Sequence, residues 1–491
     1  MSSTSEVAAD RRQAELQQSL ARPESHGIDF IPEGERHGKP FSLFTLWFGT
    51  TAMMATVVTG GAIAFPGMWF GWYIIAFAAG TTLGCFLAAF HAAQGPTIGI
   101  PQMIQTRAQF GYAGGAFPML IVLLSWFTFL PATTAIFAEM LSNISPISAP
   151  YGVLICMIIA TAIALWGYDL IHDFARWIGL LSILTLGAAT VIVFATHAFG
   201  AHASTVLGIG GFNTGLFLGA LGLAFIYAAG YSGGVADYSR YLPRRTSNLR
   251  AGLWTGLGIG VPTFWLFVVG AYLVLVAKSP DPVAAMDTSL TRFGGTGLLD
   301  LVYAVGCLAL IAQAMLIVYV GANTTMAVLD SLRLRRHTPK PSFGLRAAHL
   351  LPFAALGLIL GELATGRAAA FITTSLGYLL VFIIPWSAIN LADFYLVRKG
   401  QYSVADIFDP RGRYGIFNRI GAFSYVLALL CEVPFINVSG YESPVAKLLG
   451  GGDISWVIGI PIGVASYTYL MRRAAARPVT GAGSEGNAAS T

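Results

Sequence analysis

The sequence predicts an all-α protein that crosses a membrane twelve times. Its composition is the first reason: 55% of the 491 residues are hydrophobic and 10% are charged, and the mean hydropathy is +0.68. Soluble proteins carry roughly 25% charged residues. The second reason is that apolar stretches of about 20 residues, enough to cross a ~30 Å hydrocarbon layer, recur along the chain. The third is the distribution of the basic residues.

The twelve predicted spans begin after a polar N-terminal arm, residues 1–42, and end before a polar tail, residues 472–491. The arm lacks the apolar core of a signal peptide, and both terminal segments are expected to be flexible. The predicted spans are residues 43–65, 68–90, 113–142, 151–168, 177–198, 212–236, 251–277, 297–329, 347–364, 368–391, 418–437 and 453–471.

Lysine and arginine are unevenly distributed between the predicted loops. If the N-terminus is cytoplasmic and the spans alternate in direction, 24 of the 28 basic residues fall on the cytoplasmic side. Cytoplasmic loops carry such an excess in membrane proteins. We therefore expect a multi-pass protein of the cell membrane with both termini in the cytoplasm. The net charge of +5 reflects this topology rather than a nucleic-acid-binding surface.

Glycines interrupt two of the predicted spans. Span 1 contains "VVTGGAIAFPG", with Thr59, Gly60 and Gly61 near its middle, and span 6 contains "AAGYSGGV". Each glycine weakens a helix by about 0.8–1.0 kcal/mol relative to alanine. Within a bilayer, unwound backbone is tolerated only where it lines a cavity or is buried in protein. The glycines therefore predict two broken helices, although close helix packing also uses small residues.

The two interrupted spans lie five spans apart, so they cross the membrane in opposite directions. This arrangement predicts two inverted five-helix repeats, residues 43–198 and 212–391, followed by two further spans within residues 418–471. Paired broken helices in inverted repeats are typical of secondary transporters, whose substrate site lies near the middle of the membrane.

Four stretches resemble the nucleobase:cation symporter-1 family, in its purine/cytosine permease branch. They are "LFTLWFGTTAMMATVVTGG" (43–61), "HAAQGPTIGIPQMIQTRAQFGYAGG" (91–115), "VADYSRYLPR" (235–244) and "IIPWSAINLADFYLVRKGQYSVADIFDPRGRYG" (383–415). The resemblance covers spans 1 to 11. It implies a LeuT-like fold with ten core helices and two more. It also implies uptake, by alternating access, of a nucleobase such as cytosine or a purine together with a proton or sodium ion.

A nucleobase site needs aromatic rings for the flat face of the base and uncharged polar groups for its edge. In span 3, Trp126, Phe129 and Thr133 follow helical spacing and share a face. The resemblance implies that Phe129 is a stacking ring and that Thr133 replaces a common asparagine. Trp126 and Phe129 are also ordinary packing residues of membrane helices, and this alternative stays open.

Spans 1, 6 and 8 supply the other candidates for substrate binding. In span 6, Gly230, Tyr231 and Ser232 occupy the predicted break, and either Tyr231 or Tyr227 is expected to provide a second ring. The resemblance implies that Asn323 in span 8 reads the base edge. Its alternative role is to bridge two helices, and Gln313 is a weaker candidate. The predicted break in span 1 adds Thr59 and Gly60.

Several positions differ from the family pattern. Thr51 replaces a common asparagine, and Met326 and Val328 stand where asparagine and tyrosine are common. These differences leave a related heterocycle open as the substrate: allantoin, hydantoin, uracil or a vitamin-like compound.

The resemblance also bears on the coupling ion. Sodium-coupled relatives carry two hydroxyl residues just before the span 8 asparagine, where this chain has Gly321 and Ala322. A proton is therefore favoured, with sodium as the alternative. Ionisable groups inside a membrane are candidates for proton binding by default. Asp237 and Glu139 are the first choices. Asp237 is also placed to form an ion pair with Arg240, and a solvated carboxylate near the outer interface is an equal interpretation of Glu139.

Other protein classes fit the sequence less well. An enzyme would need a nucleophile and base or metal ligands inside the bilayer, and the sequence has no such motif. A channel would need a continuous hydrophilic lining, which the scarcity of intramembrane charge opposes. We therefore expect no metal and no cofactor apart from the co-transported ion. The expected partners are the lipid bilayer and a small heterocycle. A monomer is expected, with an oligomer left open.

Overall fold

The computed structural model describes residues 27–198, 210–277, 282–337 and 343–476. Residues 1–26 of the predicted arm and 477–491 of the predicted tail lie outside the described part. The helices are numbered here by the predicted span to which they correspond, with a and b for the two halves of spans 1 and 6.

The described residues form a bundle of long helices joined by short helical turns. The long helices and the two breaks comprise α1a (Phe41–Thr51), α1b (Met54–Ile63), α2 (Phe70–Ala92), α3 (Ala116–Ile144), α4 (Ala149–Trp166), α5 (Tyr168–Ala198), α6a (Thr214–Gly230), α6b (Val235–Ser239), α7 (Asn248–Ala277), α8 (Pro282–Leu332), α9 (Phe343–Ala364), α10 (Ala368–Leu391), α11 (Arg419–Glu432) and α12 (Ser455–Ala475).

The connections contain short elements as well. The helical turns are Glu33–Glu35, Gln94–Ile98, Gln102–Gln105, Arg107–Phe110, Tyr231–Gly233, Ala392–Val397, Val404–Ile407, Val433–Phe435 and Pro444–Leu448. Between α11 and α12, strands β1 (Asn437–Val438) and β2 (Tyr441–Glu442) form an antiparallel hairpin.

Nine described helices are long and apolar enough to cross a membrane, and the bent pair α1a–α1b makes a tenth. The helices α11 and α12 occupy the positions of spans 11 and 12 but are not among these ten. The predicted count of twelve spans therefore stays a prediction, and the predicted division into two repeats is not tested by these helix bounds.

The break in span 6 lies where the sequence predicts it. Helix α6a ends at Gly230, and the turn Tyr231–Gly233 follows with 3₁₀ geometry. Gly234 then leaves the helical region, with φ −142° and ψ −4°, before α6b begins. Two consecutive glycines explain the interruption, because glycine weakens a helix more than any other residue except proline.

The break in span 1 is real, but its predicted position is wrong. The two halves bend by 65° between Thr51 and Met54, whereas α1b runs without interruption through Thr59 and Gly60. A Cβ on Gly60 would lie 2.3 Å from Cα of Phe267 in α7. The glycines of span 1 therefore let two helices approach closely, and Thr59 and Gly60 belong to regular helix rather than to exposed backbone.

The prediction of a flexible arm is wrong for its described residues, 27–42. These residues pack against the ends of the helices. Ile28 is 3% exposed and Ile31 is fully buried. The backbone N–H of Ile31 donates to Gly99 O at 3.0 Å, and Arg36 donates to Pro96 O at 2.7 Å. We call this end of the molecule the arm side and the opposite end the far side.

Candidate functional site

The two helix breaks lie next to each other and frame the candidate site. The Thr56 hydroxyl, just after the α1 break, donates to Thr51 O across it at 2.5 Å. The same hydroxyl oxygen lies 2.9 Å from the hydroxyl of Tyr227 in α6a. On the other side of the α1 break, the Trp47 ring meets Tyr231 edge to face, with centroids 5.5 Å apart. The broken segments of spans 1 and 6 thus lie side by side, and we call the region around them the chamber.

Aromatic rings line the chamber. Phe129 of α3 lies 6.2 Å from Tyr227, and Tyr227 lies 6.1 Å from Tyr231, both in edge-to-face geometry. A Cβ on Gly230 would come no closer than 3.9 Å to the Phe129 ring, so the absent side chain leaves room beside that ring. Phe129, Tyr227, Gly230 and Tyr231 therefore surround the same space, and both tyrosines proposed from the sequence face it.

Several buried polar atoms around the chamber have no hydrogen-bond partner. Thr51 Oγ1, Ser232 Oγ and Gln313 Oε1 are among them. The Tyr231 hydroxyl faces Thr51, Tyr227 and Gln313, although neither Thr51 Oγ1 nor Gln313 Oε1 reaches good hydrogen-bond geometry. Buried polar groups are nearly always paired in proteins, so a cluster of unpaired ones requires an explanation. A polar ligand that enters the chamber would supply the missing partners.

The structure separates the two candidate amides of α8. Gln313 lies beside Tyr231, at the level of the helix breaks. Asn323, whose Nδ2 is also buried without a partner, follows ten residues later, or about 15 Å along the helix at 1.5 Å per residue. The two amides therefore lie at different levels of α8. Sequence reasoning ranked Gln313 below Asn323, and the signal for it was a carboxamide in an otherwise apolar span.

Trp126 and Thr133 flank Phe129 on α3 but differ in their surroundings. Trp126 is 3% exposed, and its ring would lie 3.3 Å from a Cβ on Gly234. It therefore closes the chamber beside the second half of the α6 break. The Thr133 hydroxyl donates to Phe129 O at 2.8 Å. This bond occupies its proton within α3, although its oxygen can still accept.

The two predicted coupling residues occupy different environments. Asp237 in α6b is 2% exposed, and its Oδ1 accepts the backbone N–H of Gln102 at 2.8 Å. Arg240 donates to the backbone carbonyls of Asp237, Asp29 and Gly27. Glu139 is half-buried near the other end of α3. Asp237 therefore helps to fix the loop between α2 and α3 on the arm side, whereas Glu139 lies away from it.

An ionic cluster ties the arm to the turn Arg107–Phe110 and to the end of α8. Arg107, fully buried, pairs with Asp330 of α8 at 2.8 Å. The His337 ring lies 3.0 Å from Asp330 and 2.5 Å from Asp29 in the arm. Burial alone would lower the pKa of His337, but its hydrogen bonds to Asp29 and Asp330 outweigh this and raise the pKa to about 9. The imidazole is thus held in its charged form, with both nitrogens donating to carboxylates.

A second buried network on the arm side joins α2 and α10 with the turns between α2 and α3 and the turn after α10. His91 contacts Ser387 at 2.9 Å and the Gln102 side chain at 3.1 Å. Gln94 donates to Asn390 at 2.9 Å, which in turn donates to Gln109, and Gln109 donates to Asp393. These polar side chains are partnered with one another, so they connect the helices at the arm side.

Within the described residues, no group of three His, Cys, Asp or Glu side chains could hold a metal ion. Cys85, Cys156, Cys307 and Cys431 are free thiols. The chamber is thus lined by aromatic rings, hydroxyls and an amide. This set of groups can bind a flat, uncharged heterocycle with hydrogen-bonding edges.

Comparison with solved structures supports the predicted fold. The transporter Mhp1 of the nucleobase-cation-symport-1 family, solved in a closed conformation with bromovinylhydantoin bound, matches with a TM-score of 0.71 at 20% sequence identity. The match covers 93% of this chain and 96% of that one. A sodium-coupled sialic acid symporter matches with a TM-score of 0.63 at 14% identity, over 94% and 97% of the two chains. The chain therefore has the fold of these symporters.

Comparison of sequences identifies the family. A Bacillus subtilis protein named as a purine-cytosine permease, YxlA, is 33% identical over 451 residues, or 91% of this chain and 96% of the relative. The purine-cytosine permease fcyB of Emericella nidulans is 22% identical over 91% of this chain and 88% of the relative. The family described as permeases for cytosine/purines, uracil, thiamine and allantoin matches residues 30–459. These matches confirm the resemblance drawn from the sequence and make the protein a transporter rather than an enzyme: the chain belongs to this family of permeases.

Proposed function

We propose that the protein imports a nucleobase, cytosine or a purine, across the cell membrane by proton symport through alternating access. The observation that carries the proposal is the set of unpaired polar atoms in an aromatic chamber between two broken helices. The relatives named as purine-cytosine permeases support this substrate class. Both termini would lie in the cytoplasm, so the arm side would be the inner face.

In the proposed binding mode, the base stacks on Phe129 and presents its edge to Tyr231 and Gln313. A carboxamide both donates and accepts, which suits the mixed donor and acceptor edge of cytosine or adenine. Thr51 and Ser232 lie close to the same space and offer hydroxyls. Asn323 lies about 15 Å further along α8, toward the arm side, and is not assigned to the base edge.

The absence of hydroxyls at two positions of α8 supports the proton as the coupling ion. Gly321 packs against the Phe353 ring with no room for a side chain, and Ala322 adds no ligand. The next hydroxyls, Thr324 and Thr325, donate to carbonyls of α8 itself, at 2.8 and 2.9 Å. Sodium prefers several hard oxygen ligands, so this segment is a poor site for it.

Transport assays in proteoliposomes test the substrate and the ion separately. Uptake of labelled cytosine and adenine is measured with an imposed pH gradient and, in parallel, with an imposed sodium gradient at fixed pH. We expect the pH gradient to drive uptake and the sodium gradient to have no effect. Full uptake with sodium alone would contradict proton coupling. Competition by allantoin, hydantoin, uracil and thiamine then decides between the proposed substrates and the related heterocycles.

The stacking role proposed for Phe129 can be tested against a control residue on the same helix. Base–aromatic stacking contributes about 1–3 kcal/mol per base, so Phe129→Ala is expected to raise the KM for the base roughly tenfold or more. Phe127 lies two residues away and stacks instead on Phe353, with centroids 4.5 Å apart. Phe127→Ala should leave the KM near the wild-type value. Equal effects of the two changes would argue against a stacking role.

We assign contact with the edge of the base to Gln313 and not to Asn323, so substitutions of these two amides of α8 test the assignment. Gln313→Met keeps the length of the side chain but removes its hydrogen-bonding groups. A lost hydrogen bond costs about 0.5–1.5 kcal/mol, so we expect the KM to rise several-fold and the selectivity between cytosine and uracil to weaken. Asn323→Leu is the comparison. Should only Asn323→Leu change the selectivity, the proposed orientation of the base would be wrong.

A further inference from the structure

Glu432 is the last residue of α11 and has an unusual environment. Its side chain is fully buried, and neither carboxyl oxygen has a hydrogen-bond partner. Among the described residues, no basic side chain pairs with it. An ionised carboxylate in such a place would be uncompensated and therefore costly, whereas the protonated acid is not.

The neighbouring helix is shaped around this side chain. Glu432 Oε1 occupies the space where a side chain on Gly459 of α12 would lie. Ser455 is one turn before Gly459, so it shares that face of α12, and its buried hydroxyl lies near Asp453 without reaching good hydrogen-bond geometry. The packing thus leaves room for the carboxyl group and places a second buried polar atom on the same face.

The other titratable groups around Glu432 do not compensate a negative charge. Asp453, just before α12, is close enough for its charge to interact with Glu432, and both its oxygens already accept backbone N–H groups, from Asn437 at 2.7 Å and Ser455 at 2.8 Å. Tyr425, two turns earlier on α11, donates to Phe382 O at 2.9 Å. Glu442, on the hairpin, lies near Gly451 and is exposed. A second acid nearby further disfavours the ionised form of Glu432.

A cavity on the far side is lined by Asp453, the acid that neighbours Glu432. It has a volume of about 520 Å³ and is lined by α1b, α6a, α10 and the connection from α11 to α12, including Gly215, Thr373, Gly377, Asn437 and Asp453. Asp453 is 7% exposed. Water in the cavity therefore contacts the carboxyl group that neighbours Glu432, which gives protons a short path from the far side.

The same connection packs against α6a, which ends in the chamber. A Cβ on Gly215 would collide with Gly450 O, and one on Gly452 would lie 2.8 Å from Leu218. The rings of Phe225 and Trp456 stack with centroids 4.4 Å apart. A continuous series of contacts therefore runs from Glu432 through α12 to Phe225 of α6a. Phe225 lies two residues before Tyr227 of the chamber.

We propose that Glu432 is a proton-binding site reached from the far side, and that its protonated form holds α12 and the preceding connection against α6a. Loss of the proton would leave a charge with no partner, and the side chain would have to move toward water in the cavity. That movement would loosen the support of α6a. A metal cation is a poor alternative occupant, because the described residues offer no cluster of three acidic, histidine or cysteine ligands.

The thermal stability of the purified protein tests the site without any transport. Tm is measured between about pH 5 and about pH 9, a range that covers a strongly perturbed buried carboxyl, for the wild type, Glu432→Gln and Glu442→Gln. Glutamine imitates the protonated acid, so we expect the wild type and Glu442→Gln to lose stability as the pH rises and Glu432→Gln to lose much less. Identical pH profiles for the wild type and Glu432→Gln would overturn the proposal.

Infrared spectroscopy provides a direct second measurement. The carbonyl band of a protonated carboxyl group, present in the wild type at neutral pH, should be missing or reduced in Glu432→Gln and retained in Glu442→Gln. An unchanged band in Glu432→Gln would overturn the assignment. If Glu432→Gln fails to fold, the disappearance of this band on alkalinisation of the wild type serves as the test, and a band that persists without change would also overturn it.

The second part of the proposal, that loss of the proton loosens the support of α6a and so regulates transport, rests on the proposed function, because its test measures nucleobase uptake. In proteoliposomes, with the pH difference across the membrane held constant, a shift of both sides to alkaline pH should reduce wild-type uptake severalfold and reduce uptake by Glu432→Gln far less. Equal inhibition of both would overturn this second part of the proposal. If no nucleobase is transported at all, the proposed function fails, while the stability and infrared results still decide whether Glu432 binds a proton.

Discussion

The two ends of the helix bundle bury carboxyl groups in opposite ways. On the arm side, Asp393 is fully buried and accepts hydrogen bonds from Gln109, Tyr402, Tyr467 and Arg398 at 2.8 to 3.0 Å. On the far side, Glu432 is equally buried and accepts none. The first environment offers the carboxyl group one arginine and three neutral donors. The second tolerates only the neutral acid, so its structure depends on a proton.

Removal of the partnered carboxylate should have the largest effect. Asp393→Ala would leave the Arg398 guanidinium and three neutral donors without their acceptor. Breaking a buried ion pair from one side typically costs about 3–5 kcal/mol, so a large fall in Tm is expected, measured by thermal unfolding in detergent. Glu432→Leu is the matched change at the other end and should be close to neutral, because it removes an unpartnered polar group. Similar falls in Tm for the two variants would contradict the proposed difference between the environments of Asp393 and Glu432.

Filling the space at Gly459 should have an intermediate effect. Gly459→Ala forces its methyl group into the position of Glu432 Oε1, and overpacking of this kind costs about 1–3 kcal/mol. The double variant with Glu432→Ala should recover most of the lost Tm, since the shorter side chain vacates that position. Gly187 of α5 has open space around it, so Gly187→Ala is the control and should not lower Tm. A double variant no more stable than Gly459→Ala would show that the two residues do not compete for space.

The histidine of the arm-side cluster should give the smallest and most pH-dependent effect. Its raised pKa of about 9, against 6.5 for an ordinary histidine, means that its contribution is complete below about pH 6.5 and disappears as the pH rises through about 9. His337→Gln should therefore lower Tm modestly at neutral pH, by roughly the equivalent of 1 kcal/mol, and the gap to the parent should close at alkaline pH.

This measurement is best made in the Glu432→Gln background, which removes the other proposed pH dependence. His349, exposed on α9, is the control, and His349→Gln should follow its parent at every pH. A gap between His337→Gln and its parent that stays constant from neutral to alkaline pH would contradict the charged imidazole bridge.

Local sequence patterns predicted one helix break and misplaced the other. In span 6 the helix unwinds at Gly233 and Gly234, although side chains of α3 and α8 pack closely against these glycines. In span 1 the glycines at positions 60 and 61 contact α7, and the bend occurs at Ala52 and Met53 instead. A glycine pair favours an unwound backbone and close packing alike, so only the tertiary structure could decide between them.

The residues of the candidate site also fall into two groups, those that the sequence identifies and those that only the structure reveals. Phe129, Tyr227 and Tyr231 were identifiable as aromatic residues near a predicted break. The family resemblance emphasised Asn323, but the register of α8 against α6 brings Gln313 to the chamber. Glu432 gave no signal beyond being an acid at the end of an apolar stretch. Its significance depends on the absence of partners, and a sequence does not record which groups lie nearby.

The sequence by itself determined that this chain is a helical membrane transporter of the purine and cytosine permease family, since hydrophobicity, span length and family motifs are properties of local segments. Tertiary structure alone decided which glycines unwind, which amide reaches the chamber and which carboxyl groups are paired. These outcomes depend on contacts between helices far apart in the chain. In a low-dielectric interior, the presence or absence of a single such partner determines whether a buried group is charged.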